Sequence, residues 1–352
     1  MRKEITGIDK RKITIFYLII TLLLTWFCQF MPILMGMDVE NTSISSFDYS
    51  SIFFGIGGVM PSLAGVIFVF IFYTKEGVKD FLRRCFVPNK ECIAAILISL
   101  GLVGGEVAIT QLISKGLGAE ALGFEGLKLI IKNPLYLFYF LFWGIISGPF
   151  SEEFGWRGFL TDQLFHREKL FQMSLFIGFI WGIWHLPLYF YPAQIQHDWF
   201  VMNPILGLSF VVSCMSAALV YTTIYVIAKR RVFAIFFLHM FKNIILTGAM
   251  IYPFSETYSV VVVPVEIVMD VLFYLIVTRT KFYKKCRMSS ISEVSPIMYS
   301  ELDHLLKQDV TADSWYDDGF LMALDILEKF SDEDWKKLCE EVLTKDLEWQ
   351  KN

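Results

Sequence analysis

Charge is scarce in this chain. Asp, Glu, Lys and Arg make up only 19% of its 352 residues, against about 25% in ordinary soluble domains. Cysteine is scarcer still: the six, at positions 28, 85, 92, 214, 286 and 339, form no CxxC pair and no cluster at zinc-ligand spacing, which excludes a disulfide framework and a metal knot. There is no internal repeat and no HExxH helix of the zinc-protease kind. No small-residue cleavage site follows the first apolar run, so the basic-flanked start "MRKEITGIDKRK" reads as a retained anchor and not as a signal peptide. Apolar residues fill the space that charge leaves: 55% of the chain is hydrophobic, 16% aromatic, and the mean hydropathy is +0.53. The composition is that of a polytopic membrane protein.

Runs of roughly 17 to 25 apolar residues are long enough to span a bilayer as helices. They lie near 13–34, 51–73, 92–113, 134–152, 173–191, 204–228, 232–252 and 259–278. The expected fold is therefore all-α, a membrane bundle of about eight helices. With the N-terminus in the cytosol, the inside segments hold 21 Lys and Arg and the outside segments three, Lys115, Lys128 and Lys132. Basic residues collect on the cytosolic side, so both termini are placed there.

Composition changes near Cys286. Residues 1–288 carry 25 basic and 19 acidic side chains, whereas 289–352 carry 6 basic and 16 acidic. The expected organisation is a membrane domain over 1–288 and an acidic cytosolic tail over 289–352. In the tail, "GFLMALDILEKF" and "DEDWKKLCEEVLTKDLEWQ" have apolar residues at helical spacing, and Ser331 with Asp334 resembles a capping box. Two or three short amphipathic helices are expected there, either as a solvated appendage or as a docking module for a basic cytosolic protein. No nucleic-acid partner is expected.

An ionisable side chain inside a span costs on the order of 2.5 to 3.5 kcal/mol on insertion scales, so each needs a partner or a purpose. The candidates are Glu106, Glu152, Glu153, His185, His239, Lys242, Glu266 and Asp270. In "SEEFGWRGFL", Glu153 and Arg157 are four residues apart with the acid first, the favourable order for an ion pair on one helical face. Glu152 is turned about 100° away and should not share the arginine equally. In "FIGFIWGIWHLPLYF", His185 sits in an aromatic run just before Pro187, which weakens the helix. In "FAIFFLHMFKNIIL", His239 and Asn243 share a face. Counting about 1.5 Å per residue places Glu152, His185, His239 and Asn243 about 10 to 18 Å from the cytosolic ends of their helices, in one layer.

"EEFGWR", "WGIWHLP" and "HMFKN", in this order, resemble the EExxxR, FxxxH and HxxxN motifs of the CPBP family, which includes CAAX prenyl proteases and bacteriocin-processing enzymes of the Abi type. The resemblance covers roughly residues 134–250. It implies that Glu152 is the general base, His185 its partner, and His239 and Asn243 the oxyanion hole, with Glu153 and Arg157 in support. Trp181 stands where the family usually has Phe and is expected to matter little, as one aromatic wall for another. Lys242 beside Asn243 is a second departure. Glu152, His185 and His239 form the alternative zinc set, but a cofactor-free site is expected.

The resemblance implies an intramembrane endopeptidase, a multi-pass protein of the plasma membrane if the source is bacterial, that opens to the cytosol and hydrolyses a bond in a membrane-associated peptide. A non-catalytic membrane scaffold and a bacteriocin self-immunity protein acting by partner binding are the alternatives. A transporter is the third reading, motivated by Glu106, Glu266 and Asp270, although no inverted repeat supports it.

Overall fold

The computed structural model describes residues 10–40, 48–118, 125–165, 170–192, 194–244 and 256–294. All of them fall in the first of the two units into which the chain divides, Met1–Ile297. The second, Met298–Asn352, lies outside the described residues, together with the amphipathic helices expected in the tail.

Every regular element among the described residues is helical. Six helices are long and apolar enough to cross a membrane: α1 (Lys10–Leu34), α2 (Tyr49–Phe72), α4 (Lys90–Gly116), α9 (Leu170–Trp184, extended by a 3-10 turn over Leu186–Phe190), α11 (Pro204–Ile227) and α13 (Glu256–Val277). The two other expected spans are built differently. The fourth is one helical run broken by two π-helical stretches: α6 (Leu135–Ile145), π over Ile146–Phe150, α7 (Ser151–Glu153), π over Phe154–Leu160, and α8 (Thr161–Leu164). The seventh, α12 (Val232–Phe241), is short, and the rest of that expected span, from 245 on, lies outside the described residues. Four helices that apolar-run length does not reveal, α3 (Lys75–Phe86), α5 (Glu125–Lys132), α10 (Ile195–Met202) and α14 (Lys281–Val294), occupy the connecting segments.

The π stretches have local causes. A widened turn leaves carbonyls free to accept further bonds, and hydroxyls five residues on supply them: Ser151 Oγ donates to the Ile146 carbonyl at 2.5 Å and Thr161 Oγ1 to that of Trp156 at 2.8 Å. Such bulges often mark functional sites. At Gly155 the helix lies directly on α2: a Cβ there would overlap the Pro61 carbonyl, and one on Gly65 would stand 2.7 Å from the Gly155 Cα. Small residues let helices touch backbone to backbone where the bilayer gives no hydrophobic drive.

At the end of the bundle that carries α3, a buried ionic clasp closes the structure. Arg84 binds Asp80 at 2.8 Å, Asp162 at 3.2 Å, the Gly158 carbonyl at 3.1 Å and the Tyr225 hydroxyl at 3.2 Å. Arg230 reaches Asp162 at 2.5 Å and Asp80 at 3.3 Å from the turn between α11 and α12, where Lys229 and Arg230 adopt the left-handed backbone conformation. Burial works against the charge on Arg84, but Asp162, Tyr225 and Asp80 outweigh it and hold the guanidinium protonated.

Two of the isolated acids of the apolar helices, Glu106 and Asp270, share a partner. Lys242 Nζ lies 3.2 Å from Glu106 on α4 and 3.6 Å from Asp270 on α13, which also accepts from Ser216 at 3.1 Å. Lys242 therefore points toward α4 and α13 and ties the end of α12 to both helices.

Candidate active site

The sequence "SGPFSEEFGWR" puts Glu152 and Glu153 on the single turn, α7, between the two π stretches. That placement separates their side chains. Glu153 is wholly buried, and its Oε1 receives two donors, Arg157 Nη1 at 3.0 Å and His239 Nδ1 at 2.6 Å. The ion pair expected from spacing is present, and the tie to His239 on α12 is an addition that no spacing along one helix reveals.

Glu152 is oriented by a different residue. Its Oε2 accepts from the indole Nε1 of Trp181 at 2.6 Å, and one turn later the ring of His185 places Nδ1 2.8 Å from the Trp181 carbonyl. A carbonyl only accepts, so Nδ1 carries the proton and Nε2 is left as an acceptor in the neutral ring. His185 can hold this position because α9 ends at Trp184 and Pro187 enters a 3-10 turn. Its ring is packed edge-on by Trp184 at 4.5 Å and Phe210 at 5.0 Å.

Trp181 is thus the centre of the site and more than an aromatic wall. Its N–H holds Glu152, its carbonyl holds His185, its ring lies 5.9 Å from that of His239, and the Arg157 guanidinium lies over it at 4.6 Å and over Tyr221 at 4.1 Å. Trp181 thus makes a contact that the expected aromatic wall does not include: a phenyl ring has no N–H to give to Glu152.

Glu152 and His185 line a cavity of about 330 Å³ together with Ser147, Ser151, Tyr139, Trp143, Phe54 and Gln29. His239 and Asn243 do not line it. They close instead on Gly148, one turn before Glu152: a Cβ there would overlap the Asn243 amide nitrogen and stand 2.6 Å from His239 Nε2. The absence of a side chain at 148 is what admits both groups to the backbone of the helix bearing Glu152. Among the described residues, no three His, Cys, Asp or Glu side chains gather as a metal-holding group. Glu152, His185 and His239, the alternative zinc set, are not brought together as such a group.

The cavity is lined by residues of several helices. Its lining comes from the C-terminal part of α1 (Gln29), the N-terminal parts of α2 and α6 (Phe54, Tyr139) and the segment after α9 (Leu188, Gln194).

Residues 134–245 match the family model described as type II CAAX prenyl endopeptidase Rce1-like. The chain is also similar to the CAAX prenyl protease 2 of Methanococcus maripaludis, with 26% identity over 202 residues that cover 56% of this chain and 73% of that protein.

Proposed function

We propose that this multi-pass membrane protein, which resembles the CAAX-type intramembrane peptidases over residues 134–245, cuts a membrane-associated peptide with Glu152 and His185 as the water-activating pair. The observation that carries this reading is that the Glu152 carboxylate and the His185 ring, each oriented by Trp181, line one aromatic-walled cavity. A water between them gives a proton to Glu152 or to Nε2 of His185, and its oxygen bonds to the substrate carbonyl carbon. The tetrahedral intermediate then collapses, the C–N bond breaks, and the same proton passes to the leaving amine.

His239 and Asn243 serve as oxyanion donors in this reading. The Asn243 amide donates as it stands. His239 gives its Nδ1 proton to Glu153, so Nε2 donates only when the ring is doubly protonated. Glu153, shared with Arg157, supplies the negative charge that such a ring requires. Preorganised donors of this kind are worth about 2.7 to 4 kcal/mol each in dry sites. The domain division at 288/289 and the acidic tail as a docking module for a basic partner remain proposals beside this one. So does the cytosolic placement of both termini.

The test compares peptides released or retained by cells carrying the wild-type chain with those from Glu152→Gln cells at equal protein level. A peptide cut only by the wild type establishes proteolysis and identifies the substrate. Identical pools refute the catalytic reading.

A further inference from the structure

We propose that Lys242 is a positioning residue: its ion pairs with Glu106 and Asp270 fix the rotation of the end of α12 and so aim the Asn243 amide at Gly148, one turn before Glu152. The inference rests on the reading of Asn243 as an oxyanion donor.

The sequence of α12 shows why such a device is needed. "VFAIFFLHMF" is apolar on every side, with His239 its one polar side chain. Inside a bilayer, lipid chains solvate an apolar face about as well as a neighbouring helix does, so hydrophobicity alone does not set how this short helix is turned about its axis. Polar contacts must set it. His239 Nδ1 meets Glu153 Oε1 at 2.6 Å and gives α12 one such contact, a pivot on the turn that carries Glu152. Lys242 supplies the second on another side, with Nζ 3.2 Å from Glu106 on α4 and 3.6 Å from Asp270 on α13.

Asn243 follows from that placement. Adjacent side chains on a helix point about 100° apart, and somewhat less in a π turn such as the one over 242–244. With Lys242 held toward α4 and α13, the next two residues turn to the helix that bears Glu152. A Cβ on Gly148 would overlap the Asn243 amide nitrogen, and one on Gly144 of α6 would stand 2.5 Å from Ile244 Cγ1.

The acids are themselves anchored. Glu106 and Asp270 are buried, and Asp270 also accepts from Ser216 on α11 at 3.1 Å. Ionisable groups inside a span are costly and point to a use. Replacing a whole buried ionic set by neutral side chains is often harmless to stability, so what this set supplies is a fixed geometry. Glu106 and Asp270 both lie outside residues 134–245, the part of the chain that matches the family model. The Asn243 end of the site is therefore held by helices beyond the matched region.

The test uses the full chain in lipid and the peptide that only the wild type cuts. Because Lys242→Met alone strands two acids, the main variant combines it with Glu106→Gln and Asp270→Asn and removes the three charges together. Its kcat, per folded enzyme, should fall about 10- to 100-fold with KM unchanged, the effect of a misplaced catalytic group. In an Asn243→Ala chain the same three changes should lower kcat no further, because residues that act through one group are not additive. Wild-type kcat in the triple variant, or an equal loss in both backgrounds, overturns the proposal.

Disulfide formation reads the position of α12 without substrate. In a Cys339→Ser chain, where the five native cysteines among the described residues are buried, Gly144→Cys and Ile244→Cys are oxidised and the loss of free thiols is followed. The pair should close several-fold more slowly when the three charges are removed, and an equal rate overturns the proposal. If the wild type and Glu152→Gln cut alike, the proteolytic reading falls, and the oxidation rates still decide whether Lys242 positions α12.

Discussion

Replacing Trp181 with Phe removes one hydrogen and one ring while retaining an aromatic body, which makes it a sharp perturbation of the candidate site. In the structure the indole N–H donates to Glu152 Oε2 at 2.6 Å, and both partners are buried. A hydrogen bond to a charged group is worth about 1.5 to 3 kcal/mol, and a buried partner left without it bears its desolvation cost. If Glu152 must be aimed at water, that loss appears in the barrier. At about 1.4 kcal/mol per tenfold, kcat/KM should fall roughly 10- to 150-fold. The loss should appear mainly in kcat, because Trp181 is not among the residues lining the cavity. The assay is cleavage of the peptide that only the wild-type chain cuts, in purified protein reconstituted in lipid, with the thermal midpoint as a folding control. Wild-type kcat/KM in Trp181→Phe would refute the reasoning and restore the view of residue 181 as a plain aromatic wall.

Two further substitutions probe the packing around the site. Gly148→Ala places a methyl where the Asn243 amide and His239 Nε2 now close on the backbone; overpacking of this kind costs about 1 to 3 kcal/mol. Peptide cleavage should drop roughly tenfold or more while the protein stays folded, and an unchanged rate would detach His239 and Asn243 from the reaction. Lys242→Met leaves Glu106 and Asp270 without their cation in a buried setting, a change expected to cost about 3 to 5 kcal/mol. A clear fall in thermal midpoint in detergent is expected, and an unchanged midpoint would show that Ser216 and other neighbours suffice.

Much of the architecture is legible along the chain because membrane insertion is governed by local quantities. Apolar length and the sum of Lys and Arg are read segment by segment, so the spans and their alternation follow from "TIFYLIITLLLTWF" and its counterparts. The Glu153–Arg157 pair was equally accessible, since both residues lie on one helix with a fixed pitch. The π stretches around Glu152 were not, because α and π ladders suit the same apolar pattern and only packing against Pro61 and the hydroxyls of Ser151 and Thr161 distinguishes them.

By itself, the sequence determined the class of molecule, the order of its helices and the residues able to do chemistry. Tertiary structure alone decided how those residues are joined: that Trp181 serves Glu152 and His185 at once, that Glu153 reaches His239 on another helix, and that Lys242 gathers Glu106 and Asp270. It also decided which side chains share a cavity with Glu152 and His185. The reason is physical. Hydropathy and helical pitch act over a few residues of one chain segment, whereas a hydrogen bond between helices or an opening between them depends on how distant segments are rotated against one another, which no single segment encodes.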